Sequence, residues 1–414
     1  MYTTSMASIP TNESNTPLTE ARHDVREARA LDGPIVSFWL FTLFVLIAGM
    51  VLVGGATRLT DSGLSITEWA PVTGTLPPIG HAAWLAEFEK YKAIPEYTFV
   101  NAGMTLGEFK TIYWWEWGHR LYGRVIGLAV LLPLVAFILL RMISRRMAIR
   151  LTVLFSLVVA QGALGWWMVS SGLTDRVDVS QYRLAAHLGM AVALLGYTLW
   201  LGLDTIGTRR HAPLPQLSLA IGVCLFVYTQ MILGAFVAGL RAGKTYTTWP
   251  LMDGGLVPRG YFGDPARVAD LFESSAAVQF NHRMVAYALC LAVALFWWSV
   301  RRTDIRRHAD VLVAAVFFQA FIGVLTVLNG TPIALGLAHQ AGSLVLFSVA
   351  LFTVYGCVGE ISIVKASSAS ITGRRGSTWP PSSKPSRSAT ALNGIKFTPE
   401  TPSTVEDNAI APSR

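Results

Sequence analysis

Glu116-Trp117-Gly118-His119-Arg120 and Gln279-Phe280-Asn281-His282-Arg283 are two versions of one phrase, each opening a long apolar run. A second phrase also comes twice, as Ala186-His187-Leu188-Gly189 and Ala338-His339-Gln340-Ala341-Gly342. A lone histidine at the end of a membrane helix reads as an interfacial side chain satisfied by a neighbour, because an unpartnered ionisable ring there is costly. Four histidines in a duplicated frame read instead as two buried metal or heme sites. The copying goes further. Gln161-Gly162-Ala163-Leu164-Gly165 is matched by Gln319-Ala320-Phe321-Ile322-Gly323, and Gly54-Gly55-Ala56-Thr57-Arg58 by the stretch from Gly234 to Arg241. Four elements recurring in one order imply an internal duplication.

The 414 residues are 52% hydrophobic and only 14% charged, far below the roughly 25% charged residues of a soluble domain. Eight apolar segments stand out, approximately Ile35–Ala56, Gly118–Leu140, Leu151–Val169, Leu184–Leu203, Leu217–Leu240, His282–Val300, Val311–Leu328 and Ile333–Val358. Most reach the roughly 20 residues that cross a hydrocarbon layer. The first segment is too long, and its polar lead too extended, for a cleavable signal peptide. The expected fold is therefore an all-α integral membrane protein. Its eight transmembrane helices form two pseudo-symmetric four-helix bundles, at residues 35–205 and 206–360, flanked by disordered tails at 1–34 and 361–414.

The net charge of +8 comes from arginines gathered in alternate loops: Arg141, Arg145, Arg146 and Arg150; Arg209 and Arg210; Arg301, Arg302, Arg306 and Arg307. Charges split among short connectors, without a recognition motif, exclude a nucleic-acid surface and leave membrane lipid as the surrounding partner. The positive-inside rule makes those loops cytoplasmic. Both termini then lie inside, and the loops 58–117, 175–183 and 241–279 lie outside. All four site histidines fall at the outer, periplasmic end of a bacterial inner membrane. Cys224, Cys290 and Cys357 lie in apolar runs with no C-x-x-C or C-x-x-C-H spacing, so neither a disulfide framework nor a thioether-linked heme is implied. His23, His81, His211 and His308 read as ordinary solvated residues.

Spacing alone leaves the metal open. Zinc needs three or four close ligands, and Glu116 is the one carboxylate in helical register with a site histidine. Heme needs two axial nitrogens, a slot of small and aromatic residues, and cations for its propionates. Gly118, Gly123, Gly127, Gly189 and Gly342, with Trp114, Trp115, Trp117, Trp166 and Trp167, could supply the slot, and Arg58, Arg120, Arg241 and Arg283 the cations. The same residues could equally pack membrane helices, form an interfacial belt and snorkel. The halves differ at Glu116 against Gln279. A carboxylate near a metal can move protons or steady positive charge, which makes the first bundle the candidate for chemistry. In the plain alternative Glu116 caps its helix or pairs with Arg120.

The strings Gly54-Gly-Ala-Thr-Arg58-Leu-Thr-Asp-Ser-Gly63, Glu116-Trp-Gly-His119-Arg120, Gln161-Gly-Ala-Leu-Gly165, Asn281-His282-Arg283 and Leu337-Ala-His339-Gln340 resemble the heme A synthase family over about residues 35–358. The resemblance implies a membrane oxidoreductase that converts a ring methyl of heme O, through hydroxylated intermediates, to the formyl group of heme A for cytochrome c oxidase assembly. It implies a heme b cofactor on His282 and His339, a heme O substrate on His119 and His187, and an essential carboxylate at Glu116. Arg58 and Arg120 become the candidates for the substrate propionates, and Arg241 and Arg283 for those of the cofactor. The long outer loop and tail fit the subgroup nearer to mitochondria, as found in Proteobacteria; none of the three cysteines lies in an outer loop, unlike members that carry a cysteine pair there. A heme O synthase neighbour, an unidentified electron donor and a homo-oligomer are further expectations. The competing reading is a di-heme b-type membrane electron carrier, which would need equivalent halves; a transporter, suggested by the repeat alone, would need charges near the bilayer midplane.

Overall fold

The computed structural model describes residues 33–207, 214–261 and 268–358. Eleven α-helices run through these residues: α1 (Pro34–Leu59), α2 (His81–Lys92), α3 (Pro95–Phe99), α4 (Leu106–Leu139), α5 (Arg145–Val169), α6 (Gln181–Ile206), α7 (Leu214–Gly239), α8 (Asp270–Glu273), α9 (Ser275–Val300), α10 (Arg306–Leu328) and α11 (Ile333–Cys357). Eight of them, α1, α4, α5, α6, α7, α9, α10 and α11, are long and apolar enough to cross a membrane. The chain is thus a multi-pass, all-α membrane protein. The expected tails, together with His23, His211, Arg209 and Arg210, lie outside the described residues, save Gly33 and Pro34.

Local chemistry sets the helix ends. Pro34 opens α1 at a position where its missing N–H costs nothing. The hydroxyls of Ser144 and Ser274 accept hydrogen bonds from the first free amides of α5 and α9. Gly207 closes α6 in the left-handed region at φ 68°. The second membrane helix departs from its expected start at Gly118. Thr105 and Glu108 form a capping box, so α4 begins at Leu106 and is 34 residues long. His119 is therefore well inside that helix rather than at its tip.

The loop between α1 and α4 is folded. Phe88 stacks on Phe109 at 4.9 Å, Tyr91 lies 5.3 Å from Phe109, and Leu64, Ile66, Trp84, Tyr113 and Val179 complete a largely aromatic cluster at that end of the first half. His308, expected as a solvated loop residue, sits in the first turn of α10 with its ring 5.1 Å from that of Phe352.

One core runs through both halves, from Val36 and Leu40 through Leu195 to Val293 and Phe347. Its seam is a ring of contacts, α1 with α6, α6 with α7, α7 with α11 and α11 with α1. Small residues bring the helices together, as expected where apolar lipid gives helices no hydrophobic reason to associate. A Cβ at Gly196 would lie 3.0 Å from Phe347, and one at Gly202 3.3 Å from Phe41. Three hydrogen bonds tie the seam: Ser37 Oγ to Thr205 Oγ1 at 2.7 Å, Gln340 Nε2 to the Val51 carbonyl at 2.9 Å, and Tyr355 Oη to the Leu203 carbonyl at 2.8 Å.

Candidate functional site

Each of the four histidines faces a glycine on the preceding membrane helix. A Cβ at Gly54 would lie 3.2 Å from His119, at Gly165 3.0 Å from His187, at Gly234 3.3 Å from His282 and at Gly323 2.8 Å from His339. The rings fill the space that any larger residue would occupy. His282 on α9 and His339 on α11 stand with ring centroids 6.4 Å apart and planes at 80°. Two imidazoles holding one metal between them, at bonds of about 2 Å each, need a centre-to-centre distance of roughly 6 Å. In the first half His119 on α4 lies within electrostatic reach of His187 on α6.

Glutamines brace three of the rings. The Nε2 of Gln161 lies 3.1 Å from His187 Nδ1 and donates to the His187 carbonyl at 3.0 Å. Gln230 treats His282 the same way at 3.1 and 2.9 Å, and Gln319 treats His339 at 3.1 and 2.8 Å. The Oε1 of each of these amides is buried without a partner among the described residues. A metal-bound imidazole is held in orientation by a partner outside the metal's own ligands, and an amide beside the ring is such a partner. Among the described residues no three His, Cys, Asp or Glu cluster as zinc would require. Paired imidazoles without carboxylate or thiolate company fit a heme.

Glu116 and Gln279 occupy matching places but do different things. The Glu116 carboxylate is buried, at 2% exposure. One oxygen takes a 2.6 Å ion pair from Arg120, and the other accepts from Ser65 Oγ and from the Ile66 amide, both at 2.8 Å. Arg120 also donates to the Ile66 and Glu68 carbonyls at 2.7 and 2.8 Å and lies 5.8 Å from the Trp166 ring. In the second half Gln279 and Arg283 grip the Tyr246 carbonyl at 2.8 and 2.9 Å, and Arg283 reaches the Thr248 carbonyl at 2.8 Å. Both halves thus pin a loop segment near the histidines; only the first does so with a carboxylate in an ion pair.

The model of a family described as cytochrome oxidase assembly protein, COX15-CtaA, matches residues 37–351. The chain belongs to this family. It is 52% identical over 321 residues to the heme A synthase of Parvibaculum lavamentivorans, covering 77% of this chain and 93% of that one. It is also 47% identical over 320 residues to the heme A synthase of Maricaulis maris, covering 75% and 93%, and 44% identical over 331 residues to that of Hyphomonas neptunium, covering 79% and 94%.

In this cytochrome oxidase assembly family member the four candidate arginines separate into two kinds. Arg120 and Arg283 hold the loop segments, as described. Arg58 and Arg241 share two carboxylates: Arg58 lies 3.3 Å from both Asp61 and Asp178, and Arg241 lies 2.8 Å from Asp61 and 3.0 Å from Asp178. This cluster bridges the halves at the end of α1 and just past α7. Of the glycines singled out in the sequence, Gly342 lies against Gln319, Gly189 against Tyr228 and Ile232, and Gly123 against Met50, whereas Gly118 and Gly127 face open space. Gly118 lines a cleft of about 590 Å³ between α1 and α4, with Val53, Trp114, Trp115 and Tyr122 around it and His119 at its wall. Sequence reasoning missed Gln230, though the spacing Gln-x-x-x-Gly at 230–234 repeats that at 161–165 and 319–323.

Proposed function

We propose that this chain is a heme A synthase. It oxidises a ring methyl of heme O, through hydroxylated intermediates, to the formyl group of heme A, and so serves cytochrome c oxidase assembly. His282 and His339 would hold heme b as resident cofactor, which when bound supplies one-electron redox chemistry. His119 and His187 would receive heme O as substrate, with the cleft between α1 and α4 open beside His119. Gln161, Gln230 and Gln319 orient three of these rings by holding ring and backbone together. Arg58 and Arg120 are the proposed cations for the substrate propionates, and Arg241 and Arg283 for those of the cofactor. Asp61 and Asp178 would share Arg58 and Arg241 with them.

The observation that carries this reading is the difference between Glu116 and Gln279. With Arg120 on one oxygen and two donors on the other, the Glu116 carboxylate is held one helical turn from His119. Its lone pairs are occupied, so it acts as a fixed negative charge that steadies positive charge developing beside the iron, rather than as a free base. A carrier of electrons alone would have no use for the difference. Both termini cytoplasmic, with the histidine pairs toward the periplasm, is the orientation the arginine loops support. A heme O synthase neighbour would limit escape of a poorly soluble substrate. Taking a methyl to a formyl group removes electrons that need an acceptor; with dioxygen as that acceptor, a separate electron donor supplies the further electrons that reduce it to water.

The test is to purify the protein from cells making heme O, and to separate the extracted hemes by chromatography for wild type and Glu116→Ala. Heme A or its hydroxylated precursor is expected from the wild type and absent from the variant. Unmodified heme from both would reject the enzyme in favour of the carrier.

A further inference from the structure

The motif that braces the histidines is complete in three places and broken in one. Gln161 and Gly165, Gln230 and Gly234, and Gln319 and Gly323 each place an amide one turn before the glycine that faces a histidine. In α1 the glycine is Gly54, facing His119, and one turn earlier stands Met50. A thioether has no proton to give and accepts only weakly, so it can hold neither the ring nor the carbonyl of His119. Its methyl rests instead toward Gly123, 3.4 Å from where a Cβ would be. Among the described residues the His119 ring makes no hydrogen bond, and it forms part of the wall of the open cleft. The other three rings each have an amide at 3.1 Å.

We propose that His119 is the ligand that lets go of iron, and that Met50 is a positioning residue that makes it do so. This rests on the reading of the two histidine pairs as heme sites. A braced imidazole keeps its ring orientation when an incoming ligand competes for the metal, because its amide holds ring and backbone in one grip. An unbraced one loses only the bond to the metal when it turns away, and the cleft gives it somewhere to turn. The absence of that outer-sphere partner leaves the His119 ring with nothing but the metal to hold its orientation. Three of the four ligands are thereby fixed, and the exchangeable coordination position lies in the first half, next to Glu116 and the cleft.

The test uses the purified full-length protein loaded with heme, reduced, and mixed with carbon monoxide, which binds only where a ligand leaves. In the wild type about half the heme should react, and His119→Ala should make that same half react faster. Met50→Gln should slow its reaction by on the order of ten- to hundredfold, the size typical of outer-sphere partners of metal-bound imidazoles. Met50→Leu, which adds no amide, should leave the rate as it was. In the reciprocal variant, Gln230→Met, the second half of the heme should become reactive. Low-spin spectra with unchanged carbon monoxide kinetics in Met50→Gln, or a Gln230→Met protein whose second heme stays inert, would overturn the proposal while leaving the heme sites standing. A protein whose low-spin absorbance survives both His282→Ala and His119→Ala unaltered would overturn the reading beneath it as well. If Met50→Gln does not fold, the Gln230→Met arm decides.

Discussion

At the scale of single residues, the buried carboxylate separates the two halves energetically as well as chemically. Removing one member of a buried ion pair strands the other, which typically costs about 3–5 kcal/mol, whereas stranding a neutral hydrogen-bonding group costs about 1–3 kcal/mol. Arg120→Ala leaves Glu116 unpaired at 2% exposure. Arg283→Ala leaves only the carbonyls of Tyr246 and Thr248 short of a donor, and Gln279 still serves the first of them. Thermal unfolding in detergent should therefore show a clearly larger loss for Arg120→Ala, and the double variant Arg120→Ala with Glu116→Gln should recover part of it. Equal losses from the two arginines would mean that the carboxylate is not held as the geometry implies. The pairing of Glu116 with Arg120 was visible in the sequence as one of two readings, because residues four apart on a helix are neighbours. Ser65 and Ile66 were not, since no periodicity says where a loop returns. Gln230 is hidden in the sequence for a different reason: its counterpart in the other half is Met50, so the two halves do not match there.

At the scale of elements, the layer formed by α2, α3 and the first turns of α4 carries a titration. Glu96 lies on α3 at 3% exposure, accepting a 3.3 Å hydrogen bond from Tyr91, whose hydroxyl in turn accepts from Asn101 at 2.7 Å. Burial is the main cause that raises its pKa from 4.5 to about 8, and the charges of Asp178, Glu116 and Asp61 add to the effect against the Tyr91 bond. A carboxyl with a raised pKa binds its proton more tightly folded than unfolded. Its stabilisation is complete below pH 4.5 and is lost as pH rises toward 8. Hydrogen-exchange protection factors over residues 81–117 should accordingly fall across that window, and Glu96→Gln should flatten the dependence. A rise in protection with pH, or a slope that survives in the amide variant, would rule out this origin. Little of this layer could be read from the chain. An apolar-run criterion started the second membrane helix at Gly118, because Lys110 and Glu116 interrupt the run, while the capping box at Thr105 and Glu108 shows that helix formation and membrane burial begin at different residues. Of the seven other spans, α1, α6, α7 and α11 match their expected bounds to within three residues, whereas α5, α9 and α10 begin five to seven residues before the expected starts at Leu151, His282 and Val311, because their first turns are polar or charged.

At the scale of the whole molecule, the duplication visible in the histidine phrases does not produce two separate packing units. Residues of both halves enter one core, and α1, α6, α7 and α11 form a closed ring of contacts around the seam. We propose that the halves 35–205 and 206–360 are repeats by ancestry that have become a single cooperative structure. Between the halves the seam depends on the close approach of Gly196 to Phe347 and on hydrogen bonds from Gln340 to the Val51 carbonyl and from Tyr355 to the Leu203 carbonyl, none of which either half can satisfy alone. A half expressed by itself would present those groups to lipid, where an unpaired polar group has no water to turn to. Severing the chain between residues 207 and 214 tests this without touching any helix of the ring. Co-expressed halves should reassemble and regain paired-histidine heme absorbance. Each half alone should fail to accumulate, or should bind heme without the low-spin signature, because its histidine-bearing helices would lack the neighbours that fix their rotation. The second half is the more sensitive case: α11 carries His339 and is held to α1 of the first half through Gln340, the very next residue. A second half that purified alone with an intact low-spin spectrum would show that its site is set by α7, α9, α10 and α11 without help, and the shared core would then be a consequence of fusion rather than a condition for it.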